Sequence, residues 1–393
     1  MVLVRKHPIL RVIVFDTITS VNAGEKPAPL YMHAMLPPAT MQCTQLPDVQ
    51  TRTKPTIHQT SLQTKKVQLI NKIENNSKFV HKSVVNNSTL VSSVDTVGIN
   101  NFVPNKNFNS SNLPTPIKPY RLEVYLNGYN NWLKNYLLSG FTKGFRLDNI
   151  KFTAYDNDKT LNSARILPNK IKEKLDKEIS LGRIVGPFDS SPLENLVVSP
   201  LGLVEKKVRG EYRVIHHLSF PSGSSINDGI PRESATVKYA SIQDAIEKIL
   251  LVGSHCYMAK SDIKSAFRII PIHPDDHHLL GMKWHGQYYY DRCLPMGASS
   301  SCAIFEKFST ALQWITEKLI KDCYVVHVLD DFLFIGETYQ QCQLALKTFL
   351  FICEDIGVPI APEKKFFPSM IMQFLGIDLD TINMQFSIPS DKV

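Results

Sequence analysis

The pattern of apolar and polar positions changes in character twice along the chain. From about residue 20 to 118 no period persists, and the sequence is rich in Asn, Ser, Thr, Pro and Lys, as in NNSKFVHKSVVNNSTLVSSV. Such a stretch buries too little apolar surface to offset the entropy lost on ordering. Residues 1–118 are therefore predicted to form a low-complexity, largely disordered arm.

Helical spacing dominates the next part of the chain, from Tyr120 to Gly182. In RLEVYLNGYNNWLKNYLLSGF, apolar and aromatic residues recur three and four apart, which predicts an amphipathic helix that packs on the main domain. Ile171, Leu175 and Ile179 are four apart and predict another helix, which stops at the glycine.

From about residue 190 the pattern favours short β-strands joined by tight turns. The segments LENLVVSPLGLVEKK and EYRVIHHLSF flank Arg209-Gly210 and predict one hairpin. The segment LLGMKWHGQYYYDR predicts a second hairpin with His285-Gly286 at its turn, and VVHVLDDFLFIG predicts a third.

Helices are predicted between these strands. Ser241 and Asp244 resemble a capping box, the apolar spacing after PMGASSS predicts a long helix, and another helix is predicted to end near Ile356. QFLGIDLD is predicted as a last strand. The resulting order, β-α-ββ-α-ββ-α-β, predicts an α+β fold in which an antiparallel sheet has helices packed on one face.

Two adjacent carboxylates, Asp330 and Asp331, stand in the middle of the apolar run VVHVLDDFLFIG, where Leu329–Asp331 is predicted to form the hairpin tip. Aspartate is a common turn residue, so the pair alone does not decide between structure and function. The apolar flanks favour function, because like charges held there repel unless a cation lies between them. Asp262 ends the predicted strand CYMAKSD. If the two strands are neighbours, these acids form an oxygen-rich site of the kind Mg²⁺ prefers.

The segments SDIKSAFRIIPIHPDD, DRCLPMGASSSCAIFEKF, HVLDDFLFIG, PIAPEKK and QFLGIDLD, in this order, resemble the palm of a reverse transcriptase. A finer resemblance, to DIRS-type retrotransposons that integrate through a tyrosine recombinase, rests on SPLGLVEKK, YRVIHHLS, KSDIKSAFR, DRCLPMG and LDDFLF. The resemblance implies a right-hand polymerase, with N-terminal helices and fingers in residues 119–238 and a palm in residues 239–393. IPSDKV is similar to the start of a thumb, so thumb, ribonuclease H and recombinase are expected to be absent from this chain.

The resemblance also implies roles for the acidic residues. Asp262 and Asp330, with the backbone carbonyl of Ile263, are implied to hold two Mg²⁺ ions, for which Mn²⁺ is a possible substitute. Asp331 is implied to support the site electrostatically. The reaction expected there is nucleotidyl transfer, in which a primer 3′-hydroxyl attacks a deoxynucleoside triphosphate and pyrophosphate leaves.

Other residues are implied to contact the nucleotide. Lys206 and Arg213 lie on the two strands of the predicted fingers hairpin and match residues that grip a triphosphate, although an unaided Lys/Arg pair is more often a solvated surface. Phe267 matches the aromatic residue that excludes ribonucleotides; without the resemblance it is equally a core residue. Lys364 matches the proton donor to pyrophosphate, with Lys365 as its competitor.

The loop LPMG and the segment FLG complete the implied site. Two departures from the usual pattern, Val328 in place of an aromatic residue and Met296 in place of Gln, are expected to change nucleotide contacts and not the hairpin. The residues implied to line the nucleotide and template site are Met296 and Gly297, and those implied to position the primer end are Phe374, Leu375 and Gly376.

Charge and cysteine usage fit this interpretation. The net charge is +8, but residues 1–150 hold 17 basic and 7 acidic residues whereas residues 239–393 hold 13 and 18. A basic arm beside an acidic centre suits a protein that attracts a polyanion and holds cations, although a basic tail without that role is equally common. Seven cysteines without a C-x-x-C pair argue against a zinc ribbon or disulfide framework and indicate an intracellular setting. No secretion signal or membrane span is expected.

Two function hypotheses remain open. The first is an RNA-directed DNA polymerase that uses deoxynucleoside triphosphates and an RNA or DNA template with primer. The alternative is a catalytically inactive, truncated retroelement remnant that at most binds nucleic acid. An RNA-templated RNA polymerase is disfavoured by Phe267. Two further groups are candidates for function. The histidines of HPDDHH and the pair His216-His217 could bind a metal ion, and Trp284 with Tyr288, Tyr289 and Tyr290 could stack on bases. Both groups are instead expected to be structural.

Overall fold

The computed structural model describes residues 113–148, 155–156, 160–206 and 209–390. The predicted arm, residues 1–118, lies outside these ranges except for residues 113–118. The boundaries proposed for the arm, fingers and palm therefore stay predictions. No helix in the described part is long and apolar enough to cross a membrane.

The helices follow the predicted order, with one correction. The single helix predicted from Tyr120 is wrong: the chain leaves the helix at Leu126 and starts a new one after Asn130, whose side chain accepts the backbone N–H of Leu133. Gly128, with a φ of 82°, lies in the interruption, so the Asn-Gly pair outweighs the apolar spacing that continues across it. The helices are α1 (Pro119–Tyr125), α2 (Asn131–Lys143), α3 (Asn162–Ile166), α4 (Pro168–Ser180), α5 (Arg232–Ala235), α6 (Ile242–Val252), α7 (Ser301–Leu319) and α8 (Tyr339–Ile356).

The strands form four antiparallel sheets in the described part of the chain. The sheet orders are β7-β8-β4-β9, β1-β6-β5, β10-β11-β12 and β2-β3. The strands are β1 (Ile184–Phe188), β2 (Leu201–Glu205), β3 (Tyr212–His216), β4 (Tyr257–Asp262), β5 (Gly281–Trp284), β6 (Gln287–Asp291), β7 (Cys323–Val328), β8 (Asp331–Gly336), β9 (Phe366–Ser369), β10 (Ile371–Phe374), β11 (Ile377–Asp380) and β12 (Gln385–Ser387).

The three predicted hairpins and the capping box are present, but the predicted last strand is wrong. QFLGIDLD is a hairpin, because the chain turns at Leu375 and Gly376, whose φ values are 48° and 79°. At the start of α6, Ser241 and Asp244 exchange the side-chain and backbone hydrogen bonds of a capping box, so Asp replaces the usual Glu here without loss of either bond.

The four-stranded sheet is buried on both faces. Phe332 and Phe334 of β8 belong to the core that contains α7 and α8, while the intervening Leu333 and Ile335 belong to the core formed with α6, β10 and β11. All four side chains are fully buried, and each contributes about 1.5–3 kcal/mol. The α+β class is thus confirmed. The structure adds α6 on the second face, where the sequence predicted helices on one face.

The β2–β3 hairpin is attached differently. Its inward residues Leu201 and Leu203 pack with Ile171 and Leu175 of α4 in a third, smaller core. In the described part of the chain it pairs with no further strand. Its other face carries exposed side chains, including Val204.

Candidate active site

The acidic residues meet at one end of the four-stranded sheet. β4 and β8 are neighbours, and their register places Asp262 directly opposite Asp331. Asp330 lies in the two-residue turn between β7 and β8, and its backbone carbonyl accepts the N–H of Ile263 at 2.9 Å. The turn is therefore tied to the end of β4, and the three carboxylates share one edge.

The turn contains a strained residue. Leu329, the first of its two residues, has a φ of 53°. Glycine or asparagine is usual at positive φ, and a side chain there costs roughly 1–2 kcal/mol. The backbone N–H of Leu329 donates to Glu306 Oε2 of α7 at 3.0 Å, so a buried carboxylate supports this conformation.

The electrostatics of the cluster are unfavourable to the charged carboxylates. Burial raises the pKa of Asp262 to about 6, repulsion from Asp330 and Asp331 adds to the shift, and Lys364 opposes it. Burial likewise raises the pKa of Asp330, while the charges of Lys364 and Arg213 favour its ionised form. A site of this kind gains stability from an added cation.

Two lysines contact the carboxylates. Lys364 Nζ lies 2.7 Å from Asp262 Oδ2 and donates a hydrogen bond to it. Lys260 Nζ lies 3.1 Å from Asp331 Oδ1, close enough for an ion pair, yet this buried oxygen has no aligned hydrogen bond among the described residues. Lys365, the competitor of Lys364, instead lies 5.6 Å from the ring centre of Phe367.

The donor atoms fit a hard divalent cation. The cluster offers carboxylate oxygens, the ligands that Mg²⁺ and related ions prefer, and it carries unbalanced negative charge. No group of three or more His, Cys, Asp or Glu side chains in the described ranges is arranged to hold a metal ion. Two carboxylates would therefore be supplemented by oxygens that are not side chains of this chain.

The two cations predicted in the fingers hairpin have different surroundings. Lys206 Nζ is paired with Glu211 Oε2 across the hairpin at 2.8 Å. Arg213 is exposed, and its charge lowers the pKa of Asp330. Arg213 thus acts on the acidic cluster, whereas Lys206 is engaged within its own hairpin.

A pocket of about 510 Å³ lies between the fingers hairpin and the loop before α7, and Arg213, Met296 and Gly297 are among its lining residues. At Gly297 an added Cβ would lie 2.1 Å from the carbonyl oxygen of His216, so only glycine allows the loop to approach β3 so closely. Phe267 is half-buried, with its ring edge against Phe305 at 5.4 Å between centroids. The predicted nucleotide residues of the loop and of β3 therefore share one pocket.

The predicted primer-positioning residues lie at the β10–β11 turn, where Phe374 ends β10 and Leu375 and Gly376 form the turn. Phe374 is fully buried, and Leu375 is 38% exposed. Lys260 joins this turn to the acidic cluster, since its Nζ lies 5.9 Å from the ring centre of Phe374 as well as beside Asp331.

The side chains expected to be structural are packed or bonded within the protein. His216 Nε2 and His277 Nε2 bond the backbone carbonyls of Gly281 and Ile272 at 3.0 Å, and burial lowers the pKa of both rings. Trp284 is buried in the core with the second tyrosine of the run Tyr288, Tyr289 and Tyr290.

Four residues near the site were missed by the sequence reasoning: Lys260, Arg268, Glu306 and His327. Arg268, next to Phe267, is paired with Glu178 of α4 at 2.9 Å and with Asp291 of β6 at 2.6 Å. For Lys260, Arg268 and His327 the available signal was a charged or polar residue within an apolar segment, as in CYMAKSD, AFRIIPI and VVHVLDD; Glu306 lies in the polar stripe of a helix and gives no such signal. A charged or polar residue within an apolar segment is expected to have a buried partner, but the sequence does not show which residue that partner is.

An antiparallel sheet with carboxylates at the tip of its β7–β8 hairpin, together with a cationic two-stranded hairpin, has the fold of the fingers and palm of right-hand nucleic-acid polymerases. Residues 204–379 match the family described as "Reverse transcriptase (RNA-dependent DNA polymerase)". This part of the chain is therefore similar to a reverse transcriptase domain.

Similar proteins come from viruses. The Genome polyprotein of Petunia vein clearing virus (isolate Shepherd) is 26% identical over 120 residues, 30% of this chain and 5% of that protein. The Gag-Pro-Pol polyprotein of Simian retrovirus SRV-2 is 24% identical over 176 residues, 42% of this chain and 9% of that protein. The chain thus spans less than a tenth of these relatives.

The fold is also similar to that of a solved structure, a foamy viral protease-reverse transcriptase in complex with an RNA/DNA hybrid. The TM-score is 0.50 at 17% sequence identity, and the match covers 69% of this chain and 36% of the other. At this identity the likeness concerns the fold.

Proposed function

We propose that this chain catalyses RNA-directed DNA synthesis, adding deoxynucleotides to a primer on an RNA or DNA template. The observation that carries the proposal is the cluster of Asp262, Asp330 and Asp331 at one end of the palm sheet, with the charge of Arg213 acting on it. The similar fold of a foamy viral protein bound to an RNA/DNA hybrid supports the proposed partner.

The proposed cofactor is Mg²⁺, held by Asp262, Asp330 and the backbone carbonyl of Ile263, with Mn²⁺ as a substitute. When bound, such ions activate the attacking hydroxyl and stabilise the leaving oxygen. Arg213, on the side of the pocket, is suited to orient a triphosphate, because guanidinium and phosphate form paired hydrogen bonds. Lys364 carries a proton beside Asp262 and can pass it to the leaving pyrophosphate.

We propose Phe267 as the residue that selects deoxyribose. Its ring is held edge-on by Phe305, so it has a fixed orientation five residues after Asp262. We expect a rigid aromatic ring at that point to exclude a 2′-hydroxyl group. The expected consequence is a strong preference for deoxynucleotides over ribonucleotides.

At a finer level we propose a DIRS-type retroelement as the source of the domain and an intracellular site of action. The DIRS proposal is supported by the motifs SPLGLVEKK, YRVIHHLS and DRCLPMG. The intracellular proposal is supported by the six cysteines of the described ranges, all of them free thiols and five of them buried.

Primer extension tests the proposed function. Purified protein is supplied with deoxynucleotides or, in parallel reactions, with ribonucleotides, together with an RNA or a DNA template and a DNA primer, with Mg²⁺ or with a chelator. Template binding is measured separately. The variants are Asp330→Asn and, as a matched control, Glu337→Gln, which removes one exposed charge just beyond the other end of β8. We expect Mg²⁺-dependent incorporation on the RNA template, lowered at least about a thousandfold by Asp330→Asn and unchanged by Glu337→Gln.

Each alternative gives a different result. Template binding without incorporation identifies an inactive retroelement remnant. Efficient incorporation of ribonucleotides identifies an RNA polymerase and removes the role proposed for Phe267. Full activity of Asp330→Asn overturns the proposed site.

A further inference from the structure

The edge strand β7 is accompanied along its length by helix α7. β7 has one neighbour in the described part of the sheet, β8, so every second backbone N–H of β7 points away from the sheet and needs another partner. Three polar side chains of α7 lie along this edge: Glu306, Gln313 and Glu317.

The far end of this contact is held by two side chains. Glu317 Oε1 accepts the N–H of Val325 at 3.3 Å and a hydrogen bond from the Gln313 amide at 3.2 Å. The second contact fixes the orientation of the Gln313 side chain, whose oxygen therefore faces His327 Nδ1 at 2.5 Å. The row of contacts thus leads along β7 toward the aspartates.

The near end of the contact reaches the turn itself. Glu306 Oε1 lies 3.2 Å from His327 Nε2, a polar contact without the alignment of a hydrogen bond, and Oε2 accepts the N–H of Leu329. Glu306 and His327 are 8% and 5% exposed. Water therefore has little access to replace either contact. The residue that Glu306 holds has a positive φ and directly precedes Asp330.

We propose that Glu306, held in place by His327, is a positioning residue that keeps Leu329 in its left-handed conformation and so directs the Asp330 carboxylate. The inference rests on the proposed polymerase function, because it gives Asp330 a reason to be directed. It adds a residue on α7 that touches neither nucleotide nor metal ion.

The physical reason is a competition within the turn. Leucine at positive φ is disfavoured, whereas the hydrogen bond from its N–H to a buried carboxylate oxygen offsets that cost. Without that bond the turn has no described partner for this N–H, and a relaxed backbone would rotate the next residue. A small rotation at Leu329 therefore moves the Asp330 oxygens.

The matched controls lie on the same helix. Glu306→Met keeps the length of the side chain and removes the acceptor, Glu306→Gln keeps an acceptor and removes the charge, and Glu317→Met removes the same kind of backbone contact at the far end of β7. The readouts are hydrogen exchange of the Leu329 amide, Mn²⁺ binding by electron paramagnetic resonance, and kcat and KM for deoxynucleotide incorporation.

We expect Glu306→Met to speed exchange of the Leu329 amide and to lower Mn²⁺ affinity and kcat by about tenfold each, with KM for the nucleotide nearly unchanged. Glu306→Gln should restore most of each loss. Glu317→Met reaches the turn only through Gln313 and His327, so it should change these quantities far less than Glu306→Met does. A role limited to general stability would affect the two glutamates alike, and that result overturns the proposal.

A second variant tests the mechanism even if Glu306→Met folds poorly. Glycine at position 329 adopts positive φ without a steric cost. In the Leu329→Gly protein, Glu306→Gln and Glu306→Met should therefore lower Mn²⁺ affinity much less than they do when leucine is present. If the Glu306 substitutions lower Mn²⁺ affinity equally with leucine and with glycine at position 329, the proposed role is contradicted. Amide exchange and Mn²⁺ binding need no synthesis, so they decide this inference even if the chain fails to extend a primer.

Discussion

The two hairpins that bring charge to the candidate active site hold it in opposite ways. β7–β8 lies in a four-stranded sheet with a core on each face, and its acidic cluster is largely buried. β2–β3 pairs with no further described strand, and its cations Lys206 and Arg213 face solvent. The carboxylates of the palm hairpin are thus held in one position by the protein around them. The cations of the fingers hairpin remain in water, where they can exchange one partner for another.

The energetic consequences also differ. An exposed ion pair such as Lys206–Glu211 is worth little, so a phosphate can replace the glutamate at low cost. A buried carboxylate lowers stability unless a partner compensates its charge. The carboxylates of the palm hairpin therefore repel one another until a cation binds. The charges of the fingers hairpin repel one another very little.

The largest effect is expected where the β2–β3 hairpin contacts the loop before α7. Gly297→Ala places a Cβ against the carbonyl oxygen of His216 in β3, and neither backbone can move without disturbing a hairpin. We expect a loss of about 3 kcal/mol in the free energy of unfolding, measured by urea denaturation, and loss of primer extension. Met296→Leu, at the neighbouring exposed position, is the control and should unfold like the original protein. A fully stable Gly297→Ala protein would show that the loop and β3 are not in contact.

A second effect concerns pH and separates the palm from the fingers. Because burial raises the pKa of Asp262 to about 6, the folded protein binds this proton more tightly than the unfolded chain does. The contribution to stability is complete below pH about 4 and is lost as pH rises through about 6, a difference on the order of 2 kcal/mol. Urea unfolding in the presence of a chelator should show it.

Asp262→Asn should remove this pH dependence and leave the metal-free protein more stable at pH 8. Glu337→Gln, which removes an exposed carboxylate, should retain the dependence. A difference between Asp262→Asn and the original protein that is the same at pH 4 and pH 8 would contradict the assigned cause.

The smallest effect is expected in the fingers. Glu211→Gln releases Lys206 from its ion pair, so KM for the deoxynucleotide should fall by about twofold while the melting temperature stays constant. Asp176→Asn breaks an exposed pair with Lys172 on α4 and serves as the control in steady-state kinetics. A rise in KM would mean that Glu211 orients Lys206 for the nucleotide.

Local signals predicted most of the palm. The turn at His285-Gly286, the capping box at Ser241 and the apolar flanks of Asp330 each depend on a few neighbouring residues, and the structure contains all three features. Where two local signals conflicted, the prediction failed. Asn-Gly interrupts the helical spacing after Leu126, and Leu375-Gly376 turns an apparently continuous strand.

The partners of charged residues were less predictable. Glu306, Gln313 and Glu317 have the sequence pattern of a polar stripe on an amphipathic helix, and their role depends on which strand lies beside that stripe. The ion pair of Lys206 and the contact between Lys260 and Asp331 likewise depend on side-chain directions that spacing does not determine. The identity of each charged partner is set by how the strands and helices pack, which the sequence spacing does not show.

The alternation of Phe332 and Phe334 with Leu333 and Ile335 between two cores has a consequence for how such domains diversify. Inserting or deleting one residue in β8 would exchange the two sets of side chains between the cores and move Asp331 to the opposite face of the sheet. Natural relatives should accordingly keep the length of β7–β8 constant, and their insertions and deletions should accumulate in the turn between β2 and β3.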